Sequence, residues 1–319
     1  MTLHPFAAIL ARQGVVLLDG GLATRLEAHG QELNDPLWSA RVLLDAPEVV
    51  RAVHREYLEA GADCIATVTY QATFEGLAAR GLQDADAEAL LLGAVRLAVE
   101  ARDDFWRDSA AHAGRERPLV AASVGPYGAY LSDGSEYTGR YDLDEDGLAA
   151  FHRRRWHVLA GSDADLLGCE TIPSLTEARA LLRLLDETPD RWAWVSFQCR
   201  DGRRLADGSD VAEAVRACDA CPRVAAIGFN CVPPARIPEL LAVAGGVTDK
   251  PLVTYPNSGE TYDAARKVWL PAAAEADLAA AAPEWRALGA AVLGGCCRTG
   301  PDTIRRMRRA LLVEPIIPS

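Results

Sequence analysis

The sequence predicts a single α/β domain spanning residues 1–319, a (β/α)8 TIM-type barrel with its reactive residues at the C-terminal ends of its strands. Eight short segments that are apolar at consecutive positions, and mostly bounded by Gly, Pro or Asp, read as buried parallel strands. Helical patterns separate them with the regularity of a barrel. Polar and reactive residues gather just after the strand segments, where barrel active sites are built. A doubly wound open sheet is the alternative. It is weakened because Asp19-Gly20-Gly21, after the first strand, lacks the third glycine and the spacing of a dinucleotide fingerprint.

In chain order the predicted strands are Val15–Leu18, Asp63–Val68, Leu119–Val124, Asp165–Cys169, Ala193–Phe197, Val224–Phe229, Pro251–Thr254 and Ala290–Leu293. The predicted helices between and after them are Pro47–Ala60, Ala85–Ala111, Glu145–Ala160, Ser174–Glu187, Asp210–Ala217, Pro234–Val243, Glu275–Leu288 and Asp302–Leu312. Ser174 with Glu177 three residues on forms a capping-box pattern at its helix start. No repeat, low-complexity tract or linker interrupts the alternation, so one domain is the simplest organisation.

The chain has 319 residues, half of them hydrophobic, which is enough for a large core. Its formal charge of −12 argues against nucleic acid and anionic membrane partners. No stretch approaches the ~18 apolar residues of a membrane helix, and the N-terminus has no signal-peptide pattern. A cytoplasmic protein is therefore expected, with all eight cysteines as thiols. Cys64 and Cys199 lie in apolar runs and read as core. Cys218 and Cys221 have CxxC spacing but sit at a helix end before Pro222 without a second pair, so packing is the expected role.

The chemistry centres on Cys231, Cys296 and Cys297. Cys231 and the pair Cys296-Cys297 each follow a strand candidate, so in one parallel sheet the three sulfurs converge. Three protein ligands plus an open position distinguish a catalytic zinc from a structural one, which uses four. The six histidines mostly lie in helical segments, away from the strand ends. Neighbouring residues of a strand face opposite ways, so Cys296 and Cys297 converge only if the backbone leaves strand geometry. Gly294 and Gly295 are expected to permit that departure. A zinc held by three thiolates suits the capture of a substrate thiol as thiolate, since coordination removes the proton. The rival readings are a redox disulfide between Cys296 and Cys297, which leaves Cys231 unexplained, and a zinc barrel without catalysis.

Asp19 and Glu170 are carboxylates at strand ends, where a charge is costly unless paired. Beside a thiolate zinc they suggest capture of an ammonium group, the alternatives being a helix cap or an arginine partner. Backbone N–H groups at Gly20 and beyond suit a carboxylate. With the strand-end polar residues Tyr70, Asn230 and Asn257, these complete the candidate substrate-binding set for a thiol-bearing amino acid.

The segments Leu18-Asp19-Gly20-Gly21-Leu22-Ala23-Thr24, Asn34-Asp35-Pro36-Leu37-Trp38-Ser39-Ala40, Tyr70-Gln71-Ala72-Thr73, Gly128-Ala129-Tyr130-Leu131-Ser132-Asp133-Gly134-Ser135-Glu136-Tyr137, Phe151-His152-Arg153-Arg154-Arg155, Glu170-Thr171-Ile172-Pro173, Tyr255-Pro256-Asn257-Ser258-Gly259-Glu260 and Gly294-Gly295-Cys296-Cys297-Arg298-Thr299 carry a resemblance that covers essentially the whole chain. It resembles the homocysteine S-methyltransferase family, in its cobalamin-free branch. The resemblance implies one zinc per chain on Cys231, Cys296 and Cys297, no cobalamin, and homocysteine held by Asp19, the glycine backbone after it and Glu170. It implies S-methylmethionine or S-adenosylmethionine as methyl donor, attacked directly by a zinc-bound thiolate. Trp38, Tyr70, Tyr127, Tyr130 and Tyr137 are the aromatic candidates for facing a cationic methyl group. The long, tyrosine-rich loop Gly125–Tyr141 is the candidate for closing over the donor.

Overall fold

The computed structural model describes residues 4–31, 39–108, 114–263, 268–270 and 276–312. Eight parallel strands form the barrel: Val16–Leu17, Cys64–Ala66, Leu119–Val124, Leu166–Ile172, Ala193–Phe197, Val224–Asn230, Leu252–Tyr255 and Ala290–Leu293, numbered here first to eighth. The second to eighth pair in sequence order, and the eighth returns to the first through Val16 opposite Val292 and Leu17 opposite Leu293. Between the first and second strands the closure is narrower. A single bridge joins Leu18 and Cys64, helped by the Asp63 N–H donating to the Leu17 carbonyl.

Both faces of every strand are buried, for different reasons. Leu17, Ile65, Val120, Leu167, Val195, Ile227, Leu252 and Leu293 point outward into the layer shared with the helices. Their neighbours Val16, Cys64, Ala121, Leu166, Trp194, Ala226, Val253 and Val292 fill the barrel interior. A strand alternates its faces at every residue, so burial on both sides produces the unbroken apolar runs of the sequence. Phe6 and Ile9, at the start of the helix Ala7–Gln13, join the interior cluster and plug its lower end. The upper end, at the strand C-termini, is left for the polar residues.

The predicted strands Leu119–Val124, Ala193–Phe197 and Ala290–Leu293 match the observed bounds, and the others differ by one to three residues at an end. Helices Pro47–Ala60 and Glu145–Ala160 also match. Short helices at Leu22–Ala28, Phe74–Ala78 and Tyr127–Leu131 were absent from the sequence reading. The predicted capping box forms by half. Ser174 Oγ accepts the Glu177 N–H at 3.1 Å, but the Glu177 carboxylate turns to Tyr127, Tyr141 and His152 instead of returning to the cap. Among the described residues no helix is long and apolar enough to cross a membrane.

Candidate active site

The three cysteines meet at the upper mouth. Cys231 directly follows the sixth strand, and its backbone enters the left-handed region at φ 51°. That conformation is uncommon for any residue but glycine and persists only where surrounding contacts impose it. Here the Cys231 N–H donates to the Tyr255 carbonyl, and the Asn257 side-chain amide donates to the Cys231 carbonyl at 3.3 Å. After the eighth strand the same device recurs at Arg298, with φ 63°. The expectation that Gly294 and Gly295 supply this turn through positive φ is corrected, since neither adopts it. Their service is close packing. A Cβ on Gly294 would sit 2.7 Å from the Leu18 Cβ, and one on Gly295 would sit 2.2 Å from Thr299 Oγ1.

Cys297 Sγ lies 3.8 Å from Cys231 Sγ and 3.9 Å from Cys296 Sγ. Tetrahedral zinc with Zn–S bonds near 2.3 Å separates its sulfurs by about 3.8 Å, so these two edges of the triangle fit such an ion. Among the described residues these three form the one group of metal-ligating side chains. The third edge is a disulfide joining Cys231 and Cys296. The expectation that all eight cysteines are thiols is therefore corrected for this pair. Convergence is the cause: Cα atoms 5.5 Å apart bring the two sulfurs within bonding reach. The vicinal bond between Cys296 and Cys297 does not form, and Cys297 remains free with its thiol pushed up by burial to about 12. Cys64, Cys169, Cys199, Cys218 and Cys221 are buried free thiols, and Cys218 and Cys221 pack in the outer core as expected.

Glu170 projects from the fourth strand. Ser123 Oγ donates to its Oε1 at 2.5 Å, and Tyr255 bonds it from the other side. Tyr255 is itself held by Trp194 Nε1 at 3.0 Å and by Ser196 Oγ. Asp19 is 7% exposed and accepts the Ala66 N–H at 2.8 Å. Burial pushes both carboxyl groups above their usual range, and the Glu170 charge pushes Asp19 further. Neither acid caps a helix, and no Arg, Lys or His is among the described residues lining the cavity. Neither alternative is seen among the described residues. Thr171, next to Glu170, has φ 60°. Asn230 clamps it, accepting the Thr171 N–H at 2.7 Å and donating to its Oγ1 at 2.8 Å.

The cavity is lined by Asp19, Gly20, Tyr70, Glu136, Tyr137, Glu170, Asn230 and the three cysteines, together with the first turn of helix Leu22–Ala28. Asn257 is not among the lining residues; it shapes the Cys231 turn from behind. Of the aromatic candidates Tyr70 and Tyr137 reach the cavity. Tyr127 and Tyr130 pack instead with Phe151, at ring separations of 4.8 and 5.4 Å. Trp38 lies outside the described residues. The tyrosine-rich loop borders the mouth on an anchored base. Glu177, fully buried, accepts the Tyr127 N–H at 2.6 Å and bonds Tyr141 and His152, while Arg155 donates to the Gly125 carbonyl.

The sequence reading missed Ser123, Trp194, Tyr255 and Glu136 as site residues. The first three point inward by strand alternation, in the uppermost interior layer. Knowledge of register would have found them. Glu136 carries no periodic signal, because it lies in a loop.

A family model described as "Homocysteine S-methyltransferase" matches residues 16–311. Homocysteine S-methyltransferase YbgG of Bacillus subtilis (strain 168) is 47% identical over 305 residues, covering 96% of this chain and 97% of that protein. The metallated form of the Escherichia coli homocysteine methyltransferase MmuM superposes with a TM-score of 0.86 at 44% identity, covering 95% of this chain and 99% of that one. Its oxidised form superposes with a TM-score of 0.87 at the same identity, covering 96% and 99%.

Proposed function

Because the chain belongs to the homocysteine S-methyltransferase family and transfers methyl groups to homocysteine, we propose that its donor is a sulfonium compound and that it works with one zinc ion held by Cys231, Cys296 and Cys297. The sulfur triangle at the barrel mouth, two edges of which have tetrahedral zinc spacing, is the observation that carries this reading. In its reduced form the chain offers three thiolates and leaves a fourth position facing the cavity. Zinc, when bound, supplies the positive centre that keeps an incoming thiol deprotonated at neutral pH.

The chain's own residues do the rest. Asp19 and Glu170 take the ammonium of homocysteine, a counter-charge that no described residue lining the cavity supplies. The Gly20 backbone and the first turn of helix Leu22–Ala28 face its carboxylate with N–H groups that have no intrahelical acceptor. The homocysteine thiolate attacks the S–CH3 carbon of S-methylmethionine or S-adenosylmethionine. That bond breaks with its electron pair passing to the donor sulfur, which leaves as a neutral thioether. A sulfonium is its own electrophile, so no corrinoid is needed. The same reading treats residues 1–319 as one catalytic unit in the cytoplasm, acting on small molecules alone.

The test uses reduced, zinc-loaded protein given homocysteine with each sulfonium separately, and quantifies methionine. Methionine formation that disappears with zinc removal supports the proposal. Full activity without the metal, or no product from either sulfonium, overturns it.

A further inference from the structure

Glu136 is an acid that the described residues leave without a counter-charge. It lies in the 3-10 turn Ser135–Tyr137 and lines the same cavity as the cysteines. Its Oε2 is shielded from solvent and has no hydrogen-bond partner among the described residues. The favourable contact its carboxylate has is with its own backbone N–H, and burial pushes the group up to about 7. A shielded carboxylate oxygen without a partner costs free energy, so a ligand that answers it is the natural reason for its place.

The position is fixed rather than incidental. Gly128 lets the turn pack directly on helix Tyr127–Leu131, where a Cβ would sit 2.3 Å from the Glu136 backbone nitrogen. That helix is pinned below by Glu177, through the Tyr127 N–H. Glu136 lines this cavity together with Tyr70 and Cys297, which puts it in the same space as the sulfur cluster.

The ligand class follows from charge. The described cavity lining contains three acids, Asp19, Glu136 and Glu170, and no basic side chain. Homocysteine brings one ammonium, which Asp19 and Glu170 share in the reading above. A sulfonium amino acid brings two further cations, its ammonium and its alkylated sulfur. We infer that Glu136 is the recognition residue for the methyl donor, its carboxylate meeting the donor's positive charge and selecting cationic sulfonium amino acids over neutral or anionic methyl donors. This inference rests on the sulfonium reading of the donor.

Glu136→Gln in the reduced, zinc-loaded full chain tests it, with Glu136→Asp as a second variant. We expect Glu136→Gln to raise both the KM and the calorimetric Kd for S-methylmethionine at least tenfold, and Glu136→Asp to recover part of the loss. The KM for homocysteine and the zinc content should stay within twofold of the parent. Dimethylsulfoniopropionate, a sulfonium without an ammonium, locates the contact. A penalty that persists with it assigns Glu136 to the sulfonium, and one that vanishes assigns it to the ammonium. Equal donor binding by parent and variant, in a parent that transfers methyl groups, overturns this inference alone, as does an equal rise in the homocysteine KM. A parent that uses neither sulfonium overturns the functional reading and this inference with it.

Discussion

Neutralising the two strand-end acids should move activity and stability in opposite directions. Glu170→Gln preserves shape and keeps an oxygen to accept from Ser123 Oγ, and Asp19→Asn keeps an acceptor for the Ala66 N–H. What each removes is a charge. Losing one charged partner of a buried ion pair costs roughly 2–5 kcal/mol. The second acid remains beside the ammonium in each single variant, so we expect the low end, about 2 kcal/mol or roughly 30-fold in the homocysteine KM. The double variant should lose close to the sum or more, since the two sites share one ligand. Without substrate the balance reverses. Both folded-state pKa values are raised by burial, and Asp19's also by its neighbour, so each acid's contribution to stability is lost as pH rises through its folded value. At neutral pH the ligand-free variants should therefore melt higher, by about 2 °C for each kcal/mol relieved. The difference should shrink as pH falls into the ordinary carboxylate range. The parent's homocysteine affinity should fall over that same descent, as the acids protonate. Steady-state kinetics at saturating donor, zinc content and thermal melts across pH read all of this. An unchanged homocysteine KM in both variants, or melting points that fall at neutral pH, would refute the reasoning.

Replacing Cys231, Cys296 or Cys297 by alanine should abolish turnover and greatly weaken zinc retention, because two thiolates hold the metal poorly; Cys218→Ala and Cys221→Ala should leave both intact. Metal content and methionine formation check this, and full activity in Cys296→Ala would sink the assignment. Asn230→Ala should destabilise the fold by about 2–3 kcal/mol in denaturant unfolding, since the buried Thr171 N–H and hydroxyl both lose a partner; a loss under ~0.5 kcal/mol would show that the clamp does not sustain the Thr171 backbone. Initial-rate kinetics should follow a ternary-complex law, with net inversion at a chiral methyl group. Parallel-line kinetics with retention would instead implicate a methylated cysteine.

The barrel was legible because its two layers leave a linear trace. Strands such as Val224–Asn230 are buried on both faces, so their composition alone announces them, and reactive residues placed just after such runs announce the mouth. The sequence by itself determined the convergence of Cys231 with Cys296 and Cys297, because parallel strands of one barrel share one upper rim. It also put Asp19 and Glu170 at the mouth, although Glu170 lies within the fourth strand, Leu166–Ile172, and not after it. Tertiary structure alone decided how these groups are held. Cys231, Thr171 and Arg298 take left-handed backbone that no propensity foretells, since the contacts imposing it come from other strands, as Asn230 does for Thr171. The glycines beside Cys296 proved to be for close packing against Leu18 and Thr299, a contact that spans the chain. The floor under Glu170, built by Ser123 and Tyr255, depends on inter-strand register, and the unpartnered oxygen of Glu136 depends on what fails to come near it. Periodicity records which face of a segment is buried, whereas proximity between distant segments is fixed only when the barrel closes.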